Sequence, residues 1–283
     1  FIEERISNGE EKNMDFLARG TVDFSEDFWK ELDAAVVDSV KKHLIGRRFL
    51  SLYGPLGAGA TSVHIDDVSA VQEEEDGVVK TAGRRYIELP QLHEDFTLYW
   101  RDIEHSEATG QPLDLSKAVM AAQALAQKED RLIFFGNEFL GLEGLFTAEG
   151  VEKLSRADWA VGENAFTDVV SAISKFQSKS LIGRYALILS PDMYFKLHRL
   201  QPSLGMTEEE RISKILNGHL YSSPVLGEGK AVMVCAEPQY MDLAVGKDIE
   251  TGYLETKDFN HVFRIVETVA LRIKCKDAII IFE

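Results

Sequence analysis

The most constraining feature of this sequence is a segment that cannot build a core from itself. Residues 50–92, LSLYGPLGAGATSVHIDDVSAVQEEEDGVVKTAGRRYIELPQL, hold two runs of β-type residues around the acidic tip QEEEDG. That is the pattern of a long two-stranded hairpin. Its alternation of apolar and polar residues is poor, so little in it would form a core. An extended hairpin with weak self-burial is either a flap or an arm that packs on a neighbouring subunit.

The rest of the chain supplies conventional elements. SEDFWKELDAAVVDSVKKHLIGRR reads as an amphipathic helix over 25–44, with Ser25 as cap and acids at its start. Phe28, Leu32, Val36, Val40 and Leu44 form its apolar face. PLDLSKAVMAAQALAQKEDRLIFFG predicts a spine helix over 112–135, opened by Asp114 or Ser116 and stopped by Gly136. Val119, Ala122, Leu125, Ala126, Leu132 and Ile133 mark its buried side. A second unit follows, with a helix capped at Asn164, the strand RYALILS, a proline-opened helix PDMYFKLHRL and a capping box of Thr207 with Glu210. KAVMVCA, DLAVG, HVFRIVETVALRIK and DAIIIFE read as strands. This mixture is α+β.

Composition limits function. The 283 residues carry 47 acidic and 31 basic side chains, a formal charge of −16. No basic block exceeds two residues, which argues against nucleic acid as a ligand. No apolar run approaches the roughly 20 residues of a membrane span, so no membrane partner is expected. The two cysteines, Cys235 and Cys275, form no spacing motif and suit a reduced, cytoplasmic setting.

Catalytic motifs are missing. GPLGAGAT at 54–61 fits the phosphate loop G-x-x-x-x-G-K-[ST] except at Ala60, where the lysine should stand. A nucleotide-binding enzyme built on this loop is therefore a remote alternative. There is no G-x-S-x-G elbow and no H-E-x-x-H, and the seven histidines lie far apart. No catalytic residue, cofactor or metal is expected, and the chain does not read as an enzyme.

From MDFLARG at 14–20 to AIIIFE, stretches including GRRFLSLYGPLGAG, DFTLYWRDIE, KEDRLIFFG, YALILSPDMY, MDLAVGKDIETGY and FRIVETVALRIK stand in family order. In these the chain resembles the encapsulins, shell proteins of bacterial and archaeal nanocompartments with the tailed-phage major capsid protein fold. The resemblance implies a peripheral domain from 14–59, 90–145 and 236–283, an extension loop at 60–89 and an axial domain at 146–235. It implies an icosahedral homo-oligomer of about 60 copies, with a larger shell as the alternative, and on the order of a thousand negative charges. A cargo enzyme, ferritin-like or a peroxidase, would dock through a short tail near Phe28, Leu32, Arg47, Phe49, Asp248 and Ile249. The fivefold pore would be lined by Gln201, Pro202, Ser203, Leu204, Gly205 and Met206. Residues 1–13 precede the family's usual start and read as a linker or N-terminal extension, with the expectation that an upstream segment, such as a fused cargo domain, stood before Phe1. A phage-type capsid protein enclosing DNA is the competing reading.

Overall fold

The structure is a computed structural model that describes residues 16–201 and 205–283, with backbone alone at 67–70 and 201. The N-terminal extension at 1–13 lies outside the described residues. In chain order the helices are α1 (Glu26–His43), α2 (Gly46–Phe49), α3 (Trp100–Thr109), α4 (Ser116–Phe135), α5 (Asn164–Ser178), α6 (Pro191–Lys196) and α7 (Glu208–Ile215). The strands are β1 (Leu52–Tyr53), β2 (Ser62–Glu75), β3 (Val78–Glu88), β4 (Gln91–Leu98), β5 (Glu152–Leu154), β6 (Tyr185–Leu189) and β7 (Leu200–Gln201). They continue with β8 (Met206–Thr207), β9 (Leu220–Ser222), β10 (Ala231–Cys235), β11 (Met241–Lys257), β12 (Asn260–Ile273) and β13 (Ile279–Phe282).

Two sheets organise the core. The first, β1-β11-β12-β4, is built on the long antiparallel pair of β11 and β12. Helices α1 and α4 cover it. Leu32, Val36 and Val40 of α1, with Leu44 just after it, meet Ala118, Ala122, Leu125 and Ala126 of α4 over Phe96, Phe263 and Ile265. Ser25 caps α1 by accepting from the Phe28 amide at 3.1 Å, as the sequence predicts. The apolar face is displaced by one residue at its start. Trp29 is buried, while Phe28 is half-exposed and stacks on Phe24 with ring centres 4.3 Å apart.

The spine helix starts later than its sequence pattern predicts, at Ser116. Asp114 accepts from the backbone amide and hydroxyl of Ser116, and this local turn competes with helix over 112–115. Val119 faces out, not in, and the small residues Ala118, Ala121 and Ala122 make the close contact. Likewise α5 begins at Asn164 itself, with Glu163 at the cap position. The capping box of Thr207 and Glu210 on α7 is present in both directions.

In the second sheet, β5-β13-β10-β6-β9, the three central strands are nearly all apolar, as strands covered on both faces must be. It serves the 146–235 unit, yet β13 comes from residues 279–282 and lies between β5 and β10. Sequence order groups those residues with 236–283; hydrogen bonding places them in the inserted sheet.

Among the described residues the hairpin of β2 and β3 pairs only with itself, and it turns at Asp76–Gly77, both at positive φ as a tight two-residue turn requires. Its base is packed: Val63 and Leu89 are buried with Ala244 and Ala270. Farther out it is bare, with Val71, Val78 and Val79 more than half exposed. Arg272 pins the base. Its guanidinium donates to both carboxylate oxygens of Asp242 at 2.6 Å and to the His64 carbonyl at 3.1 Å, and stacks on Tyr53.

The glycine-rich turn at 54–61 leads into this hairpin. Gly54 has φ 135, and a Cβ there would stand 2.2 Å from the Val245 carbonyl oxygen. The amides of Leu56 and Gly57 donate to the carbonyls of Val245 and Gly246 at 2.9 Å. Those donors are spent on β11, and the next element along the chain is a strand. A phosphate cradle needs free amides opening a helix, so the nucleotide reading loses its geometry.

Replacing Arg272 by methionine leaves Asp242 buried with Lys274 as its one counter-ion among the described residues. The expected cost is about 3 kcal/mol, read as a lower unfolding midpoint together with faster amide exchange at 62–66. An unchanged exchange rate there would remove Arg272 as the anchor of the hairpin.

Candidate functional site

The last two turns of α1, the short helix α2 and residues 248–249 of β11 enclose a groove of about 300 Å³. Val37, Val40, Leu44 and Ile249 give it apolar walls; Lys41, Arg47, Arg48 and Asp248 give it charge. Its shape follows from α2. After Leu44 leaves the helical conformation, Asp130 of α4 accepts from the amides of Ile45 and Gly46 at 2.8–3.1 Å and restarts the helix. Gly46 eases that approach, because a Cβ there would stand 2.3 Å from Ile133 Cδ1 and push that side chain aside.

Arg47 then turns inward. It donates to Glu129 through Nε and Nη2, to Glu267 through Nη2 at 2.8 Å and to Asp248 through Nη1 at 2.7 Å. Glu129 and Glu267 are fully buried, and Arg47 keeps only 15% of its side chain exposed. One guanidinium thus ties α2 to α4, β11 and β12.

Burial would lower the Arg47 pKa, but the bonds and charges of its three carboxylates outweigh that and raise it. Glu267 is pushed well above the ordinary carboxylate range, by burial first and by the neighbouring Glu129 second. Burial also pushes Asp130 up to about 7, against the opposing pull of the two amides it accepts from. Perturbed carboxylates in a cleft can mark acid–base chemistry. Here Glu129, Asp130 and Glu267 are all buried, Glu129 and Glu267 paired to Arg47 and Asp130 to the amides of Ile45 and Gly46, an arrangement that holds the groove's floor. Among the described residues no cluster of His, Cys, Asp and Glu is placed to hold a metal ion, and no helix is long and apolar enough to cross a membrane.

Of the residues singled out in the sequence, Arg47, Asp248 and Ile249 meet in this groove. Leu32 and Phe49 do not present themselves to it. Both are fully buried, Leu32 under α4 and Phe49 against Phe134 and Tyr221; they support the groove from behind. Phe28 is nine residues before Val37, some ~14 Å along α1. Val37, Lys41 and Arg48 escape a reading of the sequence alone. The signal for Val37 is its place in AAVVDSV, where an apolar residue stands beside the core stripe.

Of the candidate pore residues, Gln201, Gly205 and Met206 precede α7 in β7, β8 and the turn between them. Gln201 pairs with Met206 and Leu200 with Thr207, and Gly205 has positive φ. Pro202, Ser203 and Leu204 lie outside the described residues.

Comparison with known proteins gives this geometry its family. A family described as an encapsulating protein for peroxidase matches residues 14–270. The type 1 encapsulin shell protein EncA of Myxococcus xanthus is 38% identical over 277 residues, covering 95% of this chain and 96% of that one. A diheme-cytochrome–encapsulin shell fusion protein of Kuenenia stuttgartiensis is 36% identical, covering 93% and 74%. Among solved structures, the virus-like particle of Pyrococcus furiosus superimposes with a TM-score of 0.73 at 23% identity, covering 91% of this chain and all of that one. The capsid of Myoviridae phage XM1 gives 0.61 at 14% identity, covering 83% and 90%. The chain belongs to the encapsulin shell-protein family and has the α+β fold of phage capsid proteins.

Two outcomes are expected at the groove floor. Arg47→Met strands Glu129 and Glu267 and lowers stability by about 3–5 kcal/mol, whereas Glu267→Gln, which mimics a carboxyl already disposed to hold its proton, costs under ~1 kcal/mol; equal losses in urea unfolding would refute the asymmetry. Because Asp130 is raised in the fold from 3.8 to about 7, the folded state binds more protons than the unfolded one across that window. Its contribution is complete below pH 4 and declines as pH rises through 7. The drop in unfolding midpoint from pH 5 to pH 8 should shrink in Asp130→Asn.

Proposed function

We propose that this chain is the wall of a closed icosahedral compartment of about 60 copies, holding a cargo enzyme, and that it contributes no catalysis itself. The observation that carries this reading is the β2–β3 arm. It leaves its own subunit with bare valines on its outer half, and family membership supplies the copies that would cover it. In this reading 60–89 is the extension loop, 14–59, 90–145 and 236–278 form the peripheral domain, and 146–235 forms the axial domain, completed by 279–282 from the far end of the sequence. Residues 201–206 of the axial domain then surround the fivefold passage, where width and backbone polarity set what enters.

The groove beside α1 and α2 is the docking place for a cargo tail. Four apolar side chains with a rim of Lys41, Arg48 and Asp248 suit a short extended segment that buries a few aliphatic residues and is fixed in register by charge. Cargo of the peroxidase or ferritin-like kind is supported by the family's description and by a relative from Pyrococcus furiosus named a ferritin-like–encapsulin shell fusion protein. A cytoplasmic compartment fits the two cysteines, Cys235 and Cys275, which are not joined in a disulfide. A DNA-filled particle is the competing assembly; its support is fold likeness at 14% identity, and the acidic charge works against it.

Electron microscopy of the purified protein should show hollow particles of one diameter, with protein and not DNA inside. Removing residues 67–83 should leave dispersed, folded subunits; particles of normal diameter without the arm would refute its role. In Val37→Glu particles should still form, while the cargo protein that copurifies, quantified by mass spectrometry, falls about tenfold.

A further inference from the structure

The groove beside α1 and α2 is one part of a longer cleft between α1 and β11, and the chain fills the other part with its own N-terminal side. The Tyr253 amide donates to the Leu17 carbonyl at 2.8 Å. Arg19 bridges the two elements: Nε donates to the Thr251 carbonyl at 2.8 Å, and Nη1 and Nη2 donate to Asp33 at 2.8 and 2.7 Å. Phe16 comes next toward the N-terminus, exposed, with Lys247 Nζ 5.6 Å from its ring centre. The chain therefore arrives beside the stretch of β11 that carries the groove residues Asp248 and Ile249. On α1, Asp33 shares a stripe with the groove residues Val37 and Lys41, which follow it at four-residue steps.

Length and chemistry match what precedes Phe16. From Val37 to Leu44 the groove runs about 10 Å along α1, which an extended chain covers in three or four residues at about 3.3 Å each. Asp33 to Val37 is a further ~6 Å, the reach of two residues. Counting back from Phe16, Met14 falls at the near end of the groove, and Glu11 and Glu10 at its far end. Met14 is unbranched and apolar and adapts to walls of Val37, Val40, Leu44 and Ile249. On the rim stand Lys41 and Arg48; among the described residues neither is in a salt bridge, and Asp38, three residues before Lys41, does not pair with it. The other carboxylates nearby are already bonded, Asp130 to the amides of Ile45 and Gly46 and Asp248 to Arg47. Two acids and one base in the segment, Glu10, Glu11 and Lys12, thus face two bases and one acid on the rim.

We infer that residues 10–14 of the chain itself, EEKNM, seat in this groove, with Met14 on the apolar walls, Glu10 and Glu11 by Lys41 and Arg48, and Lys12 by Asp248. This occupant is tethered a few residues from its site. Its effective concentration is on the order of millimolar, so a weak contact is enough to hold it. A cargo tail then enters only those grooves that the segment has left, and its apparent affinity is reduced by the fraction that stand open. The segment regulates the site proposed above for cargo, and in that respect the inference rests on that reading.

The test uses the full-length chain. Met14→Cys with Val37→Cys should close a disulfide under mild oxidation about tenfold faster than Met14→Cys with Val170→Cys, read by intact mass of the monomer after the remaining thiols are blocked. Val170 of α5 is as exposed as Val37 and lies outside the groove; equal rates for the two pairs would overturn the seating. Glu10→Lys, Glu11→Lys and Met14→Asp combined should raise the cargo protein that copurifies, per shell subunit by mass spectrometry, about threefold, while Val37→Glu lowers it. Unchanged cargo in the triple variant alongside loss in Val37→Glu would overturn the competition. Unchanged cargo in Val37→Glu would instead remove the cargo reading of the groove, and the seating would then stand or fall on the disulfide rates.

Discussion

The arrangement around the groove depends on a single guanidinium placed among more negative charge than it can neutralise. Arg47 faces Glu129, Glu267 and Asp248, and two of those carboxylates have no access to water. Such a cluster is a poor source of net stability, because desolvation of each ion opposes the attraction between them. What it supplies is direction. Only one placement of α2 satisfies both the amides that need Asp130 and the carboxylates that need Arg47. The groove therefore keeps its shape without a ligand, which lowers the ordering cost for any tail that enters.

Much of the fold is legible in the sequence, and the reasons differ from element to element. Helix α1, the α7 capping box and the strands β6, β10 and β12 follow from local patterns that the tertiary structure reinforces. The start of α4 differs from its pattern because Asp114 makes a turn that helical periodicity does not register. Val119 lies outside the core because a helix of this composition packs through its alanines, whose small size allows close approach to α1. The position of β13 is not legible at all, since strand pairing across the whole length of a chain leaves no local trace.

The candidate site is legible in part for a related reason. Arg47, Asp248 and Ile249 are identified through family resemblance, and the structure brings them together. Leu32 and Phe49 come with them because residues near a site in sequence order alternate between facing it and supporting it. Burial alone separates the two roles. Val37, Lys41 and Arg48 need the helix phase of α1 and the restart at α2 to be known before their common exposure can be seen.

The place of β13 also bears on biosynthesis. On the ribosome, β5, β6, β9 and β10 emerge well before residues 279–282, and their sheet has a gap between β5 and β10 until the entire β11–β12 ribbon has been made. Closing such a non-local sheet is slow. A nascent subunit thus holds its inserted sheet unfinished until translation has passed the final strand. Timing of that sort would keep half-made chains out of a growing wall.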